Sequence, residues 1–307
     1  MGFLLTDEIT MNTKQIVQDF FADFTLETTP GAAKKIDDYG QYIRQGEKVY
    51  VTFLPGSDFA DTVAVSKRLK AEGLEPIPHI AARSTPNRQF LETGIKQCVE
   101  EAGVERFLVI GGAVDKPVGE FDCTAQILET GLFDKYGIKS VGLAGHPEGS
   151  PDITDEGIRE ALRFKNAFAE RTDADLYLVT QFCFEAAPII AWDKALQAEG
   201  NRLPIHIGLP GLATLKSLIG HSKACGVGAS MKFLTKQAKN VSKLLLVNAP
   251  DELTIDLATY KATDPNCGIA GLHIYPLGGL PKTANWSYAV RDGRFNLHSD
   301  GRGFDIV

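Results

Sequence analysis

The chain has 307 residues, 44% of them hydrophobic and 23% charged, with a formal net charge of −7. That length buries a core as one large α/β domain or two ordinary ones, and the composition excludes a disordered chain or a fibre. The acidic balance argues against a phosphate-backbone binder, which needs clustered Lys and Arg, while leaving room for a small anionic ligand at a local basic spot.

The five cysteines (Cys98, Cys123, Cys183, Cys225, Cys267) form no CxxC pair and no metal-ligand spacing. Their scatter predicts free thiols in a cytoplasmic protein, with no disulfide and no zinc. Phe3-Leu4-Leu5 is interrupted by Asp7 and Glu8, too short a run for a signal-peptide core. No apolar run reaches the roughly 18 residues of a membrane span, so a soluble protein without membrane contact is expected. Gly2 with Thr6 fits the loose myristoylation pattern, and Met11 is an alternative start.

Along the chain, strand patterns alternate with helix patterns. Phe24–Glu27 reads as a first strand, broken by Thr28-Thr29-Pro30-Gly31 before a helical run from Ala32 to Ile43. Val49–Leu54 is the second strand, with a helix from about Phe59 to Glu72. Pro76–Ala81 is the third, its prolines suiting a strand start, and Ser84, Thr85 and Pro86 read as the next helix start. Phe107–Gly112 is the fourth, followed by a helix from about Phe121 to Tyr136. Ser140–Ala144 is the fifth, leading into Gly145–Asp152, after which Thr154 caps a helix to about Arg171. Leu176–Phe184 is the sixth, an apolar and aromatic run around Gln181, with a helix from Pro188 to Glu199. Pro204–Leu209 is the seventh, with helical segments to about Tyr260; Ala270–Tyr275 is the eighth, with a helix from Lys282 to Val290.

Eight strands and eight helical zones over about 270 residues predict a (β/α)8 TIM barrel. A doubly wound sheet is the alternative, but no strand leads into a dinucleotide-type glycine fingerprint. With no linker-like run, 1–307 reads as a single catalytic domain, residues 1–22 being an N-terminal extension or helix.

In a barrel the strand ends converge, here carrying Glu27, Thr52, His79, Gly111-Gly112, His146 with Glu148, Gln181, Gly208 and Tyr275. An acid, a hydroxyl, imidazoles and an amide suit a planar, heteroatom-rich ligand and one proton transfer. Structural readings stand beside these: Glu27 could cap the following turn, His79 and His146 could be satisfied core histidines, and Gly111-Gly112 could relieve crowding. His206 and His273, inside strands, read as structural. Gln181, flanked by aromatics, would be costly to bury unpaired and so should bond a neighbour or a ligand.

In these motifs the chain resembles the methylenetetrahydrofolate reductase family, from about Phe24 to Val290. Thr25-Leu26-Glu27-Thr28-Thr29-Pro30 matches the family's S-F-E-F-F-P, Val51-Thr52 its V-T, and Pro78-His79-Ile80 its P-H-L. Gly145 to Asp152 matches G-Y-P-E-G-H-P-E, and Thr180-Gln181-Phe182-Cys183-Phe184 matches T-Q-F-F-F. The resemblance implies a flavin-dependent interconversion of 5,10-methylenetetrahydrofolate and 5-methyltetrahydrofolate, with FAD as cofactor and NADH or NADPH as electron donor. It makes Glu27 the general acid at N10 and places Gln181, Phe182 and Tyr275 against the substrate. Thr52, His79, Gly111, Gly112, Ala113, Phe121, His146, Ser150, Glu160, Arg163 and Lys165 would hold the cofactor. A tetrahydrofolate derivative is the implied partner, a homo-oligomer the expected assembly, and the short, unregulated form of the enzyme the expected type.

The chain also departs from the family. Ile110-Gly111-Gly112-Ala113 lacks the Arg and Asp of the family's L-R-G-D, with Asp115 two residues on. Ser150 replaces a histidine, His146 a tyrosine, and Tyr275-Pro276-Leu277-Gly278-Gly279 lacks the arginine of Y-T-L-N-R. These departures keep three functions open: the flavoprotein, run in either direction including one-carbon catabolism; a flavin-free folate reductase; and a non-redox folate or methyl-group binding subunit.

Overall fold

The computed structural model of the protein describes residues 12–224 and 245–307. Gly2, Phe3–Leu5, Thr6, Met11, Cys225 and part of the helical zone expected before Tyr260 lie outside the described residues. Eight strands, β1 (Phe24–Thr28), β2 (Lys48–Val51), β3 (Glu75–Ala81), β4 (Arg106–Ile110), β5 (Ser140–Gly145), β6 (Asp175–Phe182), β7 (Ile205–Pro210) and β8 (Ile269–Tyr275), form a closed barrel in chain order. Its strands run parallel, as registers such as Glu27 opposite Tyr50, Tyr50 opposite Ile77 and His79 opposite Leu108 show. The expected (β/α)8 TIM barrel is the fold. Longer helices alternate with the strands: α1 (Phe59–Ala71), α2 (Arg88–Ala102), α3 (Asp155–Phe168), α4 (Ala186–Ala198), α5 (Leu215–Ala224), α6 (Asp251–Thr263) and α7 (Leu280–Arg291).

Strands covered on both faces read as near-continuous apolar runs, and Val49, Tyr50, Val51, Phe107, Val109, Val141 and Leu143 are accordingly buried. The chain divides into two compact units. One comprises Thr25–Gly145 with Ile153–Val179; the other comprises the described residues of Met1–Phe24, with His146–Asp152 and Thr180–Val307. In the first, Tyr50, Ile77, Leu108, Tyr177 and Val179 pack together, with Ile110 against them. In the second, Phe21 meets the edge of Trp286 at 5.5 Å, and Trp286 stacks on Phe304. There α6 carries Tyr260, whose hydroxyl donates 2.7 Å to the fully buried Asp193 of α4. The same carboxylate accepts from Gly268 N at 3.1 Å and Gln197 Nε2 at 2.9 Å.

Several helix expectations are corrected. The run Ala32 to Ile43 forms only a four-residue helix, Pro30–Ala33, and a 3-10 turn, Tyr39–Gln41. Arg68 takes the carbonyls of Ala33 and Ile36, and Asp38 takes Gly40 N, so the backbone groups are satisfied without a continuous helix. The helix expected to start at Ser84 and Thr85 starts instead at Arg88, where Asn87 accepts from Phe90 N at 2.8 Å. Thr85 Oγ1 is turned back onto Ala81 O. The helix expected from Phe121 to Tyr136 is two short pieces, Thr124–Leu128 and Leu132–Lys135, parted by Gly131 at φ 67°. Two features had no counterpart in the sequence reading: Ala213–Thr214 pairs antiparallel with Val247–Asn248, and Phe295–Leu297 with Phe304–Ile306.

Candidate functional site

In the unit built on β1 to β5, Glu27 and Thr52 are brought together. Both are half-buried, and Thr52 Oγ1 donates to Glu27 Oε2 at 3.1 Å. Strand alternation explains the meeting: Glu27 lies opposite Tyr50 in the ladder, and Thr52, two residues beyond Tyr50, emerges on the same face. His79 is buried and sets its ring edge-on to Tyr50 at 5.8 Å. The Tyr50 hydroxyl in turn lies 2.7 Å from that of Tyr177. Gly142 makes room for this pair, since a Cβ there would come within 3.0 Å of the Tyr177 hydroxyl and Leu108 Cδ1.

At the end of β4, Gly112 has φ 95°, a region glycine occupies without strain, and approaches Ala81 closely. Gly111 differs: its φ is ordinary and a Cβ built on it meets nothing within 4 Å. Ala113 is exposed, and Phe121 is buried where the following loop packs back. That loop is pinned to the end of β3, with Arg83 N donating to Gly111 O, Val118 N to Arg83 O, and Arg83 Nε to Asp122 Oδ1 at 3.1 Å.

The three α3 residues are not brought together. Glu160 and Arg163 are exposed, and Arg163 Nη1 reaches Glu156 at 3.3 Å. Lys165, two residues on and therefore on another side of the helix, is buried. Its Nζ donates to Ala144 O at 2.7 Å, and burial pushes its pKa down to about 8.

The second unit holds His146, Ser150, Gln181, Phe182 and Tyr275. His146 and Ser150 are half-buried on the loop after β5, where His146 O accepts from Gly149 N and Ser150 Oγ from Asp152 N. Phe182 is buried and meets Tyr275 edge-on at 5.3 Å; His273 does so at 4.5 Å. Gln181 is exposed. Its aromatic neighbour Phe182 points to the opposite face of the strand, so the desolvation cost expected for the amide does not arise. His273 is fully buried, whereas His206 is half-buried.

Sequence reading missed the Tyr50–Tyr177 pair and Thr180. For the tyrosines a period-two count was the available signal, because Tyr50 precedes Thr52 by two and Tyr177 precedes Gln181 by four; Thr180 is out of that phase.

Among the described residues no group of His, Cys, Asp and Glu could hold a metal ion, and no helix is long and apolar enough to cross a membrane. No family model matches the chain. Among solved structures, a dihydropteroate synthase from Thermus thermophilus in complex with 6HMPPP is 13% identical over 87% of this chain and 93% of that one, at a TM-score of 0.42. A GH99 endo-alpha-mannosidase from Bacteriodes thetaiotaomicron in complex with bis-tris-propane is 11% identical over 80% of each chain, at 0.36. Likenesses this loose carry no argument about chemistry, and the fold assignment rests on the barrel's own strand order.

Proposed function

We propose that the chain is a methylenetetrahydrofolate reductase-like oxidoreductase, interconverting 5,10-methylenetetrahydrofolate and 5-methyltetrahydrofolate with FAD and a nicotinamide donor. The observation that carries this reading is the Thr52 hydroxyl on Glu27 Oε2, which joins two residues of separate family-like motifs at adjacent strand ends.

Gly111 fits a flat cofactor ring, because a Cβ there would meet nothing within 4 Å, and Gly112 lets the chain turn away beside Ala81. Thr52, just past β2 in the same unit, would supply a polar group for the ring's edge, while His79 has both ring nitrogens buried and packs on Tyr50. Arg163 is an α3 cation turned to solvent for a pyrophosphate, while Lys165 anchors the helix to β5.

Glu27 gives a proton to N10 of the folate as the imidazolidine ring opens, since an amine leaves poorly unless protonated. The Thr52 hydroxyl makes Oε2 an acceptor and so orients the carboxyl group. Bound flavin would supply the hydride that the resulting iminium carbon accepts. In the oxidative direction Glu27 takes the N10 proton back. Gln181 and Tyr275 would orient the substrate.

A flavin-free reductase is the second reading, favoured by one observation: the Lys165 amine is committed to Ala144 O rather than presented at the surface. An anaerobic visible spectrum of the protein separates the two. Flavin bands bleached by NADH support the first reading, and bands bleached only by methyltetrahydrofolate favour its oxidative direction. A colourless protein that takes up no FAD yet turns over a folate with NADH supports the second.

A further inference from the structure

One rung at the end of β6 is not made by backbone alone. In a parallel ladder, a residue that accepts from the N–H of one neighbour donates to the carbonyl two positions earlier on that same strand. Gly208 O accepts from Cys183 N at 3.3 Å, so Gly208 N should donate to Gln181 O. Gly208 N is also held from the side-chain side: it donates to Thr180 Oγ1 at 2.8 Å, and that hydroxyl passes its own proton to Gln181 O at 2.8 Å. A side-chain hydroxyl therefore bridges the two backbone groups of this rung.

Two neighbours make this arrangement possible. Gly208 must be glycine, because a Cβ would lie 2.5 Å from Gln181 O and 2.6 Å from Thr180 O. Tyr275 OH donates to Thr180 O at 2.8 Å, holding the same peptide from β8. Thr180 itself is buried, whereas the next side chain, Gln181, stands in solvent. An exposed glutamine loses rotamer entropy on gripping a ligand, and a fixed backbone limits that loss to the side chain.

We infer that Thr180 is the positioning residue for Gln181, an inference that rests on the reading of Gln181 as a substrate contact. Its hydroxyl satisfies Gly208 N and fixes the Gln181 carbonyl, which sets the direction in which the Gln181 amide leaves the strand. The threonine γ-methyl keeps that hydroxyl in one rotamer.

The test compares Thr180→Val, which keeps the shape without the hydroxyl, and Thr180→Ser, which keeps the hydroxyl. Thr180→Ala replaces the valine variant if that fails to fold. Two readouts are taken on the full chain. The first needs no ligand: amide hydrogen exchange at Gly208, and the Gln181 side-chain amide resonance, assigned through its loss in Gln181→Glu. The second is KM and kcat for the folate beside the rate of flavin reduction by NADH. Thr180→Val should speed Gly208 exchange at least tenfold, move the Gln181 resonance and raise the folate KM about tenfold, with flavin reduction unchanged. Thr180→Ser should recover most of each change. An unmoved Gln181 resonance in Thr180→Val, or a serine variant as impaired as the valine one, overturns the inference. If the first readout behaves as expected and the wild type neither binds flavin nor turns over a folate, Thr180 still positions Gln181 and the functional reading is what falls.

Discussion

The Thr52 hydroxyl donates to Glu27 Oε2 at 3.1 Å, tying the residue just past β2 to the acid of β1. On the proposed role of Glu27 as the acid, this contact orients its carboxyl group. Glu27→Gln should therefore keep nicotinamide-to-flavin electron transfer and lower folate turnover by roughly 10²–10⁴-fold. Thr52→Val should lower folate turnover less, by about tenfold. Stopped-flow measurement of the two half-reactions checks both, and equal loss in each half-reaction would remove Glu27 from the acid role.

The hydroxyls of Tyr50 and Tyr177 form a buried pair at 2.7 Å. Removing one leaves the other without this partner, at about 1–2 kcal/mol, whereas removing both leaves matched apolar rings. In urea denaturation Tyr50→Phe with Tyr177→Phe should cost less than the two single changes added together. Strict additivity would mean that the pair contributes nothing as a pair.

Asp193 is fully buried and holds Tyr260 OH, Gly268 N and Gln197 Nε2. Burial and the adjacent carboxylate push the Tyr260 hydroxyl pKa far up, so it stays a donor. Asp193→Ala strands those donors and should cost about 2–4 kcal/mol, with Asp193→Asn losing less. Equilibrium unfolding at pH 7 measures it, and a cost below about 0.5 kcal/mol would show that the cluster is dispensable.

Lys165 has its pKa lowered by burial from 10.5 to about 8. Below that value it is charged in both folded and unfolded chains, and the fold bears the whole desolvation penalty, about 3 kcal/mol at 1.36 kcal/mol per pKa unit. Between about 8 and 10.5 the folded chain sheds the proton first, the unfolded chain binds more protons, and stability rises with pH. Lys165→Met should therefore be more stable than wild type at pH 7 by about 1–3 kcal/mol, the lost bond to Ala144 O offsetting part of the gain. That advantage should shrink as the pH approaches 10. A constant difference across the range would show that Lys165 does not titrate there.

The barrel was legible in the sequence because strands covered on both faces leave long apolar runs, as in Phe107–Ile110 and Leu176–Val179. The connections were not. The stretch after Pro30 carries helix-forming residues, yet its carbonyls are claimed by Arg68, 35 positions away from Ala33. No local pattern announces such a partner. Strand-end chemistry was legible to the extent that it repeats every second residue: Glu27 and Thr52 were both marked out, and their contact follows from register. The exposure of Gln181 is not legible from its aromatic sequence neighbours, because successive side chains of a strand face opposite ways. Phe182 and Cys183 are indeed buried, but the amide beside them is not.

Gly111 differs in kind from the other glycines at the strand ends. Gly112 and Gly208 are demanded by the fold, one by its φ and the other by the carbonyls against it, whereas among the described residues no atom lies within 4 Å of a Cβ built at position 111. Gly111→Ala should thus match the wild type in stability, whereas Gly208→Ala should not.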